Sequence, residues 1–576
     1  MNLKEQIRHS IPAAIVVAIG AWVMIYYSIV QWETMKPVPS WDLAIFSELA
    51  KAYAHFQTPI VPVKGDGYNL LGDHFHPILI LLGPIWRLFP TPLSLLITQD
   101  LLLAFSAWPL TRLASRLTNQ WVAGGLGLVY VLSWGMQGAV AAQFHEIAFA
   151  MPLLAYASVA FVERRWGAVT AWSVPLVLVK EDMGLTVLMI GVAVILTSAV
   201  PAWYRTCTVI RPGGRGADGL DAAGDAAGNA AESAPKDDAA RNRRRGLRLG
   251  VGMIVGGIAA FLFAIQVFLP AFNINGVWDY GLSSQDQPTS PDALTQKATV
   301  VVMLILTSGI VGVTSPWLLV VLPTLAWRFL GSVEFYWVWD NWHYNATLMP
   351  IALGALLDVV ARRRAHGSYV ADHPIRQVGV DGRAVMGRSA QAALAAGATG
   401  EAGEADTAGE SDVDGPRRRP TAFPTWLTVP MRHRFVVATS ILTAVATGVL
   451  TAPYLPLWQA TNKNFDPLAA EAKQSDEAKR TETHRVAVAH EVIATIPEGA
   501  TVVTDLSLLA YLVPRAEVSW AGTSGPDKEY IVMTPGSANQ WGTTNAATWG
   551  EQHSKQGATY TLIYNKDNYQ IAKRNG

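Results

Sequence analysis

The stretch Ile11–Val30, IPAAIVVAIGAWVMIYYSIV, is apolar throughout and contains no Asp, Glu, Lys or Arg. A run of about 20 apolar residues is long enough to cross a bilayer as a helix, and it exceeds the apolar core of a typical signal peptide. Lys4 and Arg8 precede the run, and no small-residue cleavage site follows it. We therefore predict an uncleaved first span whose N-terminus lies in the cytoplasm.

The composition also indicates a membrane protein. Hydrophobic residues make up 51% of the 576 residues and charged residues only 15%, whereas soluble domains carry about 25% charged residues. The 44 basic residues equal the 44 acidic ones in number, so the charge balance does not indicate nucleic acid as a partner. The single cysteine, Cys207, excludes an intramolecular disulfide and any site with several cysteine ligands.

Further apolar stretches predict a mainly α, polytopic helical membrane domain over residues 1–453. The predicted spans, about eleven in all, are 11–31, 92–114, 121–138, 147–163, 167–179, 183–201, 249–270, 297–313, 316–330, 344–360 and 434–453. Two loops between them, 212–240 and 378–420, are rich in Gly, Ala and Asp, a composition that predicts disorder.

Arginines predict the orientation of these spans. With the N-terminus in the cytoplasm, all the Arg-rich loops fall on the cytoplasmic side, as the positive-inside rule requires. These loops contain Arg112 and Arg116, Arg164 and Arg165, the run 241–245, and 362–364. The apolar segment Pro77–Phe89 would reverse this pattern if it crossed the membrane, so we predict a short helix at the outer interface. The localisation that follows is the cell membrane, with multiple spans.

Residues 454–576 follow the last predicted span and are expected to form a small extracytoplasmic α/β domain. Helical periodicity over His484–Thr495 and buried strands over Thr501–Thr504 and Tyr530–Met533 support this prediction. A closing β pair is predicted over Thr559–Tyr564 and Tyr569–Ala572, with Asn565, Asp567 and Asn568 in the turn.

Several clusters of ionisable residues fall on the predicted outer side. Asp42 lies in the external loop 32–91 among apolar and aromatic residues; such a carboxylate could act as a base, although an exposed Asp is often only a solvated charge. The candidate substrate-binding residues include His74, His76, His145, Glu146, Lys180, Glu181 and Asp182. His74 and His76 could bind a metal or a phosphate, or could simply suit a wet interface. Lys180 could contact a phosphate, or could pair with Glu181 or Asp182.

An aromatic segment, Glu334–Tyr344, supplies three more candidates. Trp342, His343 and Tyr344 place polar groups between aromatic rings, an arrangement that suits sugar rings but is also typical of an interfacial aromatic belt. No Walker A loop or dinucleotide fingerprint is present, so we expect no nucleotide cofactor. Any energy source must then arrive with the substrate, or the process must run downhill.

The residues from Trp41 to Arg116 resemble the start of a membrane glycosyltransferase of the GT-C superfamily. That superfamily places an acidic residue in the first external loop, then a helix containing His-Pro, then a span that ends in basic residues. More narrowly, the chain is similar to domain-of-unknown-function family 2079. The similar segments are Trp41–Phe46, Gly72–Pro77, Phe144–Glu146, Lys180–Asp182, and the tail from Ile496–Ala500 to Tyr530–Met533.

The GT-C resemblance implies transfer of a sugar from a polyprenyl-phosphate donor to an envelope glycan, lipid or protein acceptor outside the cytoplasm. Asp42 occupies the position of the catalytic acidic residue, which removes the proton of the acceptor hydroxyl. The requirement for a divalent metal stays undecided, because the first loop has no Asp-x-Asp pair. The candidate metal ligands are His74, His76 and Glu146. His74, His76 and Lys180 could hold the phosphate instead.

Two other functions remain open on the sequence. A transporter or flippase of a lipid-linked glycan needs polar groups at mid-membrane depth, and Asp100 lies within the second predicted span. A non-catalytic scaffold for envelope assembly would instead use the tail domain to bind a partner.

Overall fold

The computed structural model describes residues 3–35, 41–199, 233–280, 291–331, 333–372, 377–378, 384–385, 429–457, 476–535, 542 and 545–576. The two loops predicted to be disordered lie largely outside these ranges. Of 212–240 only 233–240 are described, as the first residues of a helix, and of 378–420 only Val378 and Ala384–Val385 are described.

The helices of the N-terminal part form the larger domain. In chain order they are α1 (Leu3–Glu33), α2 (Trp41–Ala54), α3 (Leu82–Leu88), α4 (Pro92–Leu117), α5 (Gln120–Val131), α6 (Trp134–Ala141), α7 (Ala150–Val162), α8 (Trp166–Ser173), α9 (Met183–Ala199), α10 (Ser233–Phe263), α11 (Leu269–Phe272), α12 (Ala293–Thr307), α13 (Leu322–Leu330), α14 (Leu348–Asp372) and α15 (Val429–Thr451). A two-residue pair, β1 (Gln377–Val378) and β2 (Ala384–Val385), follows α14.

Five helices of the described chain are long and apolar enough to cross a membrane. They are Leu3–Glu33, Pro92–Leu117, Ala240–Phe272, His343–Arg364 and His433–Tyr454. The other six predicted spans fall on shorter apolar helices, and the predicted span 121–138 is two helices, α5 and α6, that are separated at Leu132 and Ser133. The predicted span 121–138 is therefore not one continuous helix, and neither helix alone has the length of about 20 residues that a crossing needs.

The segment Pro77–Leu88 is a short helix, as predicted. It begins as a 3-10 turn over Pro77–Leu81 and continues as α3. Its length is about 18 Å at the rise of an α-helix, short of the roughly 30 Å of a bilayer core.

Basic residues gather at one end of the helical domain, which we call the Arg end. Arg164, after α7, contacts Asp358 of α14 at 2.8 Å (Nη2 to Oδ1), and Asn242 of α10 donates to the Arg164 carbonyl. Arg364 of α14 donates through Nη1 to the carbonyl of Arg116, in the last turn of α4, at 3.2 Å. These contacts bring together the Arg-rich segments that the sequence places on one side.

The opposite end, which we call the pocket end, lies at the other end of α4. That helix has 26 residues and extends about 39 Å. Near its start, the side chain of Gln99 donates to the carbonyl of Gln143 at 2.9 Å. The last turns of α1 reach the same end, where Gln31 donates to the carbonyl of Ala141 at 3.4 Å. The charge segregation predicted from the sequence is therefore present in the fold.

The tail forms an α/β domain, as predicted. Its elements are α16 (Asp476–Thr495), β3 (Thr501–Thr504), α17 (Leu509–Leu512), β4 (Glu517–Trp520), β5 (Tyr530–Met533), α18 (Ala546–His553), β6 (Tyr560–Lys566) and β7 (Tyr569–Arg574). The five strands lie in the order β4-β3-β5-β7-β6, with β3 parallel to both neighbours and β7 antiparallel to both of its neighbours. Asp567 and Asn568 turn the β6–β7 hairpin with φ of 52° and 63°, which Asp and Asn tolerate better than most residues.

The α/β domain packs on the pocket end through hydrogen bonds to carbonyl oxygens. Lys51 of α2 donates through Nζ to Val513 at 2.7 Å and Ala516 at 3.0 Å. The hydroxyl of Tyr511 donates to the Trp32 carbonyl at 3.1 Å, and the two rings stack with centroids 4.1 Å apart. The domain therefore covers the end of α1 and one face of α2.

Candidate functional site

A cavity of about 500 Å³ lies at the pocket end, between the helical domain and the α/β domain. We call this cavity the pocket; its size is within the usual range of small-molecule sites. Every residue that we predicted as catalytic or substrate-binding lines it. They are Asp42, His74, His76, His145, Glu146, Lys180, Glu181, Asp182, Trp342, His343 and Tyr344.

Asp42 lies in the first turn of α2, a helix within the segment 32–91 that was predicted as an external loop. The N-terminus of a helix favours a negative charge, which suits a carboxylate there. The side chain is 41% exposed, and its Oδ2 is 3.5 Å from Nε2 of His145. Nδ1 of His145 is 3.1 Å from the carbonyl of Gln143. Because a carbonyl only accepts, Nδ1 carries a hydrogen and Nε2 faces the carboxylate.

A stacked pair of imidazoles extends this contact into the pocket. The rings of His145 and His343 stack with centroids 3.6 Å apart, and His343 in turn lies 4.0 Å from the ring of Tyr344. Asp42 is thus joined by direct contacts to a row of side chains from three distant parts of the chain.

Lys180 pairs with Glu146, and not with the adjacent Glu181 or Asp182 that the sequence suggested. Its Nζ is 2.8 Å from Glu146 Oε1. Burial lowers the pKa of Lys180, but the charges of Glu146 and the adjacent carboxylates outweigh burial and hold the pKa well above its ordinary value. Lys180 is therefore a cation within the pocket wall.

Glu181 pairs with His74. Nδ1 of His74 is 2.8 Å from Glu181 Oε1, and the backbone N–H of Phe75 donates to Oε2 at 3.0 Å. The ring of His74 also stacks on Tyr280 with centroids 4.1 Å apart. These contacts fix the orientation of the His74 imidazole. Its second nitrogen, Nε2, lies on the edge of the ring opposite the contact with Glu181.

Asp73, beside His74, accepts three hydrogen bonds on one oxygen. Its Oδ1 lies 2.6 Å from Lys64 Nζ, 2.8 Å from the Tyr68 hydroxyl and 3.0 Å from the Tyr280 hydroxyl. Burial would raise the pKa of Asp73, but the positive charges of His74 and Lys64 and these hydrogen bonds hold it at about 2. Asp73 is therefore an ionised anchor for the wall that carries His74.

Five polar atoms of pocket-lining residues are buried without a hydrogen-bond partner among the described residues. They are His76 Nδ1, Asp182 Oδ1, Trp278 Nε1, His343 Nδ1 and Trp520 Nε1. Burial lowers the pKa of His76 to about 4 despite the opposing charge of Glu146, so its imidazole is neutral near pH 7. Buried polar groups in native proteins nearly always find a partner, so a concentration of unpartnered groups in the side chains of one pocket is unusual.

Aromatic side chains form much of the remaining wall. Trp342 and Tyr344 come from the aromatic segment, Trp41 from α2, and Trp520 from the end of strand β4. Trp41 and Trp520 meet edge to face with centroids 4.6 Å apart. Trp342 has a φ of 63°, and strained backbone of this kind in non-glycine residues is concentrated at functional sites.

Arg328 of α13 holds the aromatic segment in place. The guanidinium is buried and donates to the carbonyls of Tyr336 and Tyr344 at 2.8 and 3.1 Å, and to Oδ1 of Asn345 at 2.7 Å. An Arg with several fixed acceptors is a rigid anchor. The position of Tyr344 therefore depends on a residue outside the aromatic segment.

The predicted metal ligands do not form a metal site. Among the described residues, no group of three or more His, Cys, Asp or Glu is placed to hold an ion. His74 is directed at Glu181, and Glu146 is directed at Lys180. A cation in contact with Glu146 opposes a second positive charge there, so the proposed set of His74, His76 and Glu146 is not supported as a metal centre.

The charge state of Asp182 leads to a prediction. Burial, with repulsion from Glu181 and Glu146, raises the pKa of Asp182 from 3.8 to about 6 despite the attraction of Lys180. The folded state therefore favours the protonated form of Asp182. The stabilisation of the fold by this protonated carboxyl is complete below pH 3.8 and is lost as the pH rises to about 6. The loss amounts to about 3 kcal/mol.

We therefore expect Asp182→Asn to raise the unfolding temperature more at pH 8 than at pH 5, since the amide does not ionise. Thermal unfolding of the purified protein in detergent at both pH values measures this. The matched control is Asp66→Asn, because Asp66 is 65% exposed and is not part of the pocket. An equal change at both pH values would contradict the prediction.

Sequence reasoning missed several pocket residues. Lys64, Tyr280, Leu506 and Trp520 line the pocket, but none was a candidate. Lys64 and Tyr280 are polar residues in ordinary loop sequence, and Leu506 and Trp520 belong to the α/β domain. Leu506 and Trp520 reach the pocket only because that domain packs on α2, and no local sequence pattern predicts this packing.

Comparisons with known proteins give a matching family model and similar solved structures. The model of a family described as "Predicted membrane protein (DUF2079)" matches residues 38–377. None of the curated proteins matches the chain. Among solved structures, the crystal structure of ArnT from Cupriavidus metallidurans bound to undecaprenyl phosphate is similar, with 12% identity, a TM-score of 0.42 and 98% of each chain covered.

Proposed function

The chain belongs to the DUF2079 family of predicted membrane proteins, and we propose that it is a membrane glycosyltransferase. In this proposal it moves a sugar from a polyprenyl-phosphate donor to an envelope glycan, lipid or protein acceptor. One observation carries the proposal: a single pocket contains a carboxylate paired with His145, a partly buried cation, and walls of aromatic rings.

Asp42 is the proposed base. Its carboxylate is partly exposed to the pocket, so an acceptor hydroxyl can approach it. Asp42 takes the hydroxyl proton as the acceptor oxygen bonds to the anomeric carbon of the sugar. The bond between that carbon and the phosphate oxygen breaks, and its electron pair leaves with the polyprenyl phosphate. A single displacement of this kind inverts the anomeric configuration.

His145 is a proposed positioning residue for Asp42. Its Nδ1 is held by the Gln143 carbonyl, and the stacked ring of His343 limits rotation of the imidazole. Because this imidazole is held in place, its Nε2, 3.5 Å from Oδ2, limits the positions that the Asp42 carboxylate can adopt.

Lys180 and His74 are the proposed phosphate contacts. The ammonium of a lysine has three donors, and the contact with Glu146 uses one of them. The other donors can bind the phosphate as negative charge develops on the leaving oxygen, and Nε2 of His74 adds a further donor when the imidazole carries both hydrogens. Charge-assisted hydrogen bonds of this kind are about twice as strong as neutral ones.

The aromatic wall supports a sugar as the transferred group. Trp342, Tyr344 and Trp41 line the same pocket as the carboxylate of Asp42 and the ammonium of Lys180, both of which are partly exposed. A sugar ring has C–H faces that stack on aromatic rings and hydroxyls that hydrogen-bond to such polar groups. This combination suits a carbohydrate better than a purely apolar ligand.

The proposed orientation places the pocket outside the cytoplasm. The Arg end and the pocket end lie at opposite ends of α4, and the positive-inside rule assigns the Arg end to the cytoplasm. The α/β domain is then extracytoplasmic, on the side where lipid-linked sugars meet envelope acceptors.

The test uses the full-length protein in proteoliposomes with radiolabelled polyprenyl-phosphate sugars and an envelope extract as acceptor. We expect label in the acceptor fraction and release of polyprenyl phosphate. Movement of the intact labelled lipid across the bilayer without a covalent product would make the protein a transporter instead. Absence of both, across the available sugars, would favour the scaffold.

A further inference from the structure

A second cavity, of about 1240 Å³, lies at the Arg end between α5, α14 and α15. We call it the Arg groove. Its basic residues are Arg363 and Arg364 of α14 and His433 and Arg434 of α15. Thr118 and Asn119 add uncharged polar groups, and mostly apolar residues of α4, α5, α14 and α15 form the rest. It is separate from the pocket and shares no lining residue with it.

The Arg groove is strongly basic. Three arginines and a histidine line it, and none of its described lining residues is Asp or Glu. Arg363 and Arg434 are exposed. Nη1 of Arg363 lies 3.4 Å from Nδ1 of His433, so these two basic side chains face each other across α14 and α15. Elsewhere at the Arg end, Arg164 and Arg362 are paired with Asp358.

An apolar floor continues from the basic residues along the helices. It includes Val122 and Gly125 of α5 and Val437, Ile441 and Val445 of α15. Gly125 helps to form the groove, because a Cβ at this position would meet no atom within 4 Å. Residues 433–454 are among the helices that are long and apolar enough to cross a membrane, so the floor runs towards the bilayer.

Trp121 lies at the rim of the Arg groove and is 91% exposed. Indole rings are favoured at the level of lipid headgroups, where one side is apolar and the other is wet. The groove therefore has an interfacial Trp and a cluster of arginines at one end and an apolar floor beyond them. A phospholipid has its headgroup phosphate and its acyl chains in the same order along the membrane normal.

We propose that the Arg groove binds an anionic phospholipid, with its phosphate on Arg363 and Arg434 and an acyl chain along the floor at Gly125. Basic pockets between membrane helices bind anionic headgroups through this charge complementarity. A soluble phosphate would use the arginines and leave the apolar floor empty, whereas a phospholipid uses both. This proposal does not depend on the proposed glycosyltransferase activity.

The first test measures phosphatidylglycerol and phosphatidylcholine binding to the full-length protein in detergent by native mass spectrometry. We expect phosphatidylglycerol to bind preferentially, and Arg363→Gln with Arg434→Gln to weaken its binding about 10- to 30-fold. The matched control is Arg243→Gln with Arg244→Gln, which removes the same charge from exposed residues of α10. If both double variants weakened phosphatidylglycerol binding equally, the lipid would be held by general charge attraction, and the proposed site in the groove would be wrong.

The second test blocks the floor without changing charge. Gly125→Leu places a side chain in the groove, and we expect it to weaken phosphatidylglycerol binding at least fivefold. Gly124→Leu is the matched control, since a Cβ there also meets no atom within 4 Å and Gly124 does not line the groove. If Gly125→Leu bound phosphatidylglycerol as the wild type does, or if millimolar inorganic phosphate displaced the lipid, the proposal would be overturned.

Discussion

We expect the Asp42→Asn protein to transfer sugar about 100- to 10,000-fold more slowly than the wild type, the range typical for loss of a general base. Asn has the shape of Asp but cannot take the proton of the acceptor hydroxyl. The exposed position of the side chain in the first turn of α2 means that the substitution buries no new group. Binding of the donor lipid should therefore change little, and the defect should appear in kcat.

Asp66→Asn is the control for this result. Asp66 lies in the same segment between α1 and α4, pairs with Lys528 at 2.8 Å, and is 65% exposed. An exposed ion pair of this kind is worth little, about 1 kcal/mol or less. Transfer by Asp66→Asn should match the wild type. If Asp42→Asn retained wild-type transfer as well, Asp42 would have no role as the base.

The second large effect concerns stability at the Arg end. Replacing Asp358 by Leu should lower the free energy of unfolding by about 3–5 kcal/mol, because it leaves buried cations without their counter-charge. Asp358 is fully buried, and its oxygens lie 2.8 Å from Nη2 of Arg164, 3.1 Å from Nη2 of Arg362 and 2.7 Å from Oγ of Ser315. Thermal unfolding in detergent measures the loss.

A double substitution separates lost charge pairing from lost packing. Arg164→Met with Asp358→Leu removes both partners of the shorter of the two ion pairs, and apolar replacement of a whole buried pair is often close to neutral. We expect the double variant to be more stable than Asp358→Leu alone. If it were less stable by the sum of both single effects, the ion pair would not explain the role of Asp358.

The candidate pocket was largely predictable because ionisable residues are rare in so apolar a chain. An ionisable side chain near membrane depth needs a partner or a function, and this argument alone selected His145, Lys180 and Glu181. The pairing itself was not predictable. Lys180 has two acidic neighbours in sequence, yet it contacts Glu146, because the segments that precede α7 and α9 meet at the pocket end.

The long helices were predictable from continuous apolar runs, but the break between α5 and α6 was not. Leu132 and Ser133 are neither Gly nor Pro, so the sequence carries no signal for a break. The fold stabilises it through Gln137, whose amide donates to the carbonyl of Leu132 at 2.6 Å and accepts from the N–H of Leu457 at 3.1 Å. Leu457 is 320 residues from Gln137 in the sequence, so no local sequence pattern predicts this hydrogen bond.

The last wall of the pocket is also the last to be synthesised. Leu506 and Trp520 close the pocket from the α/β domain, so a nascent chain has no complete site until the ribosome has passed residue 520. Membrane helices made earlier meet their lipid surroundings while the pocket is still open. A premature stop or a protease cut before residue 506 would then leave a membrane-inserted chain that lacks one wall of its site.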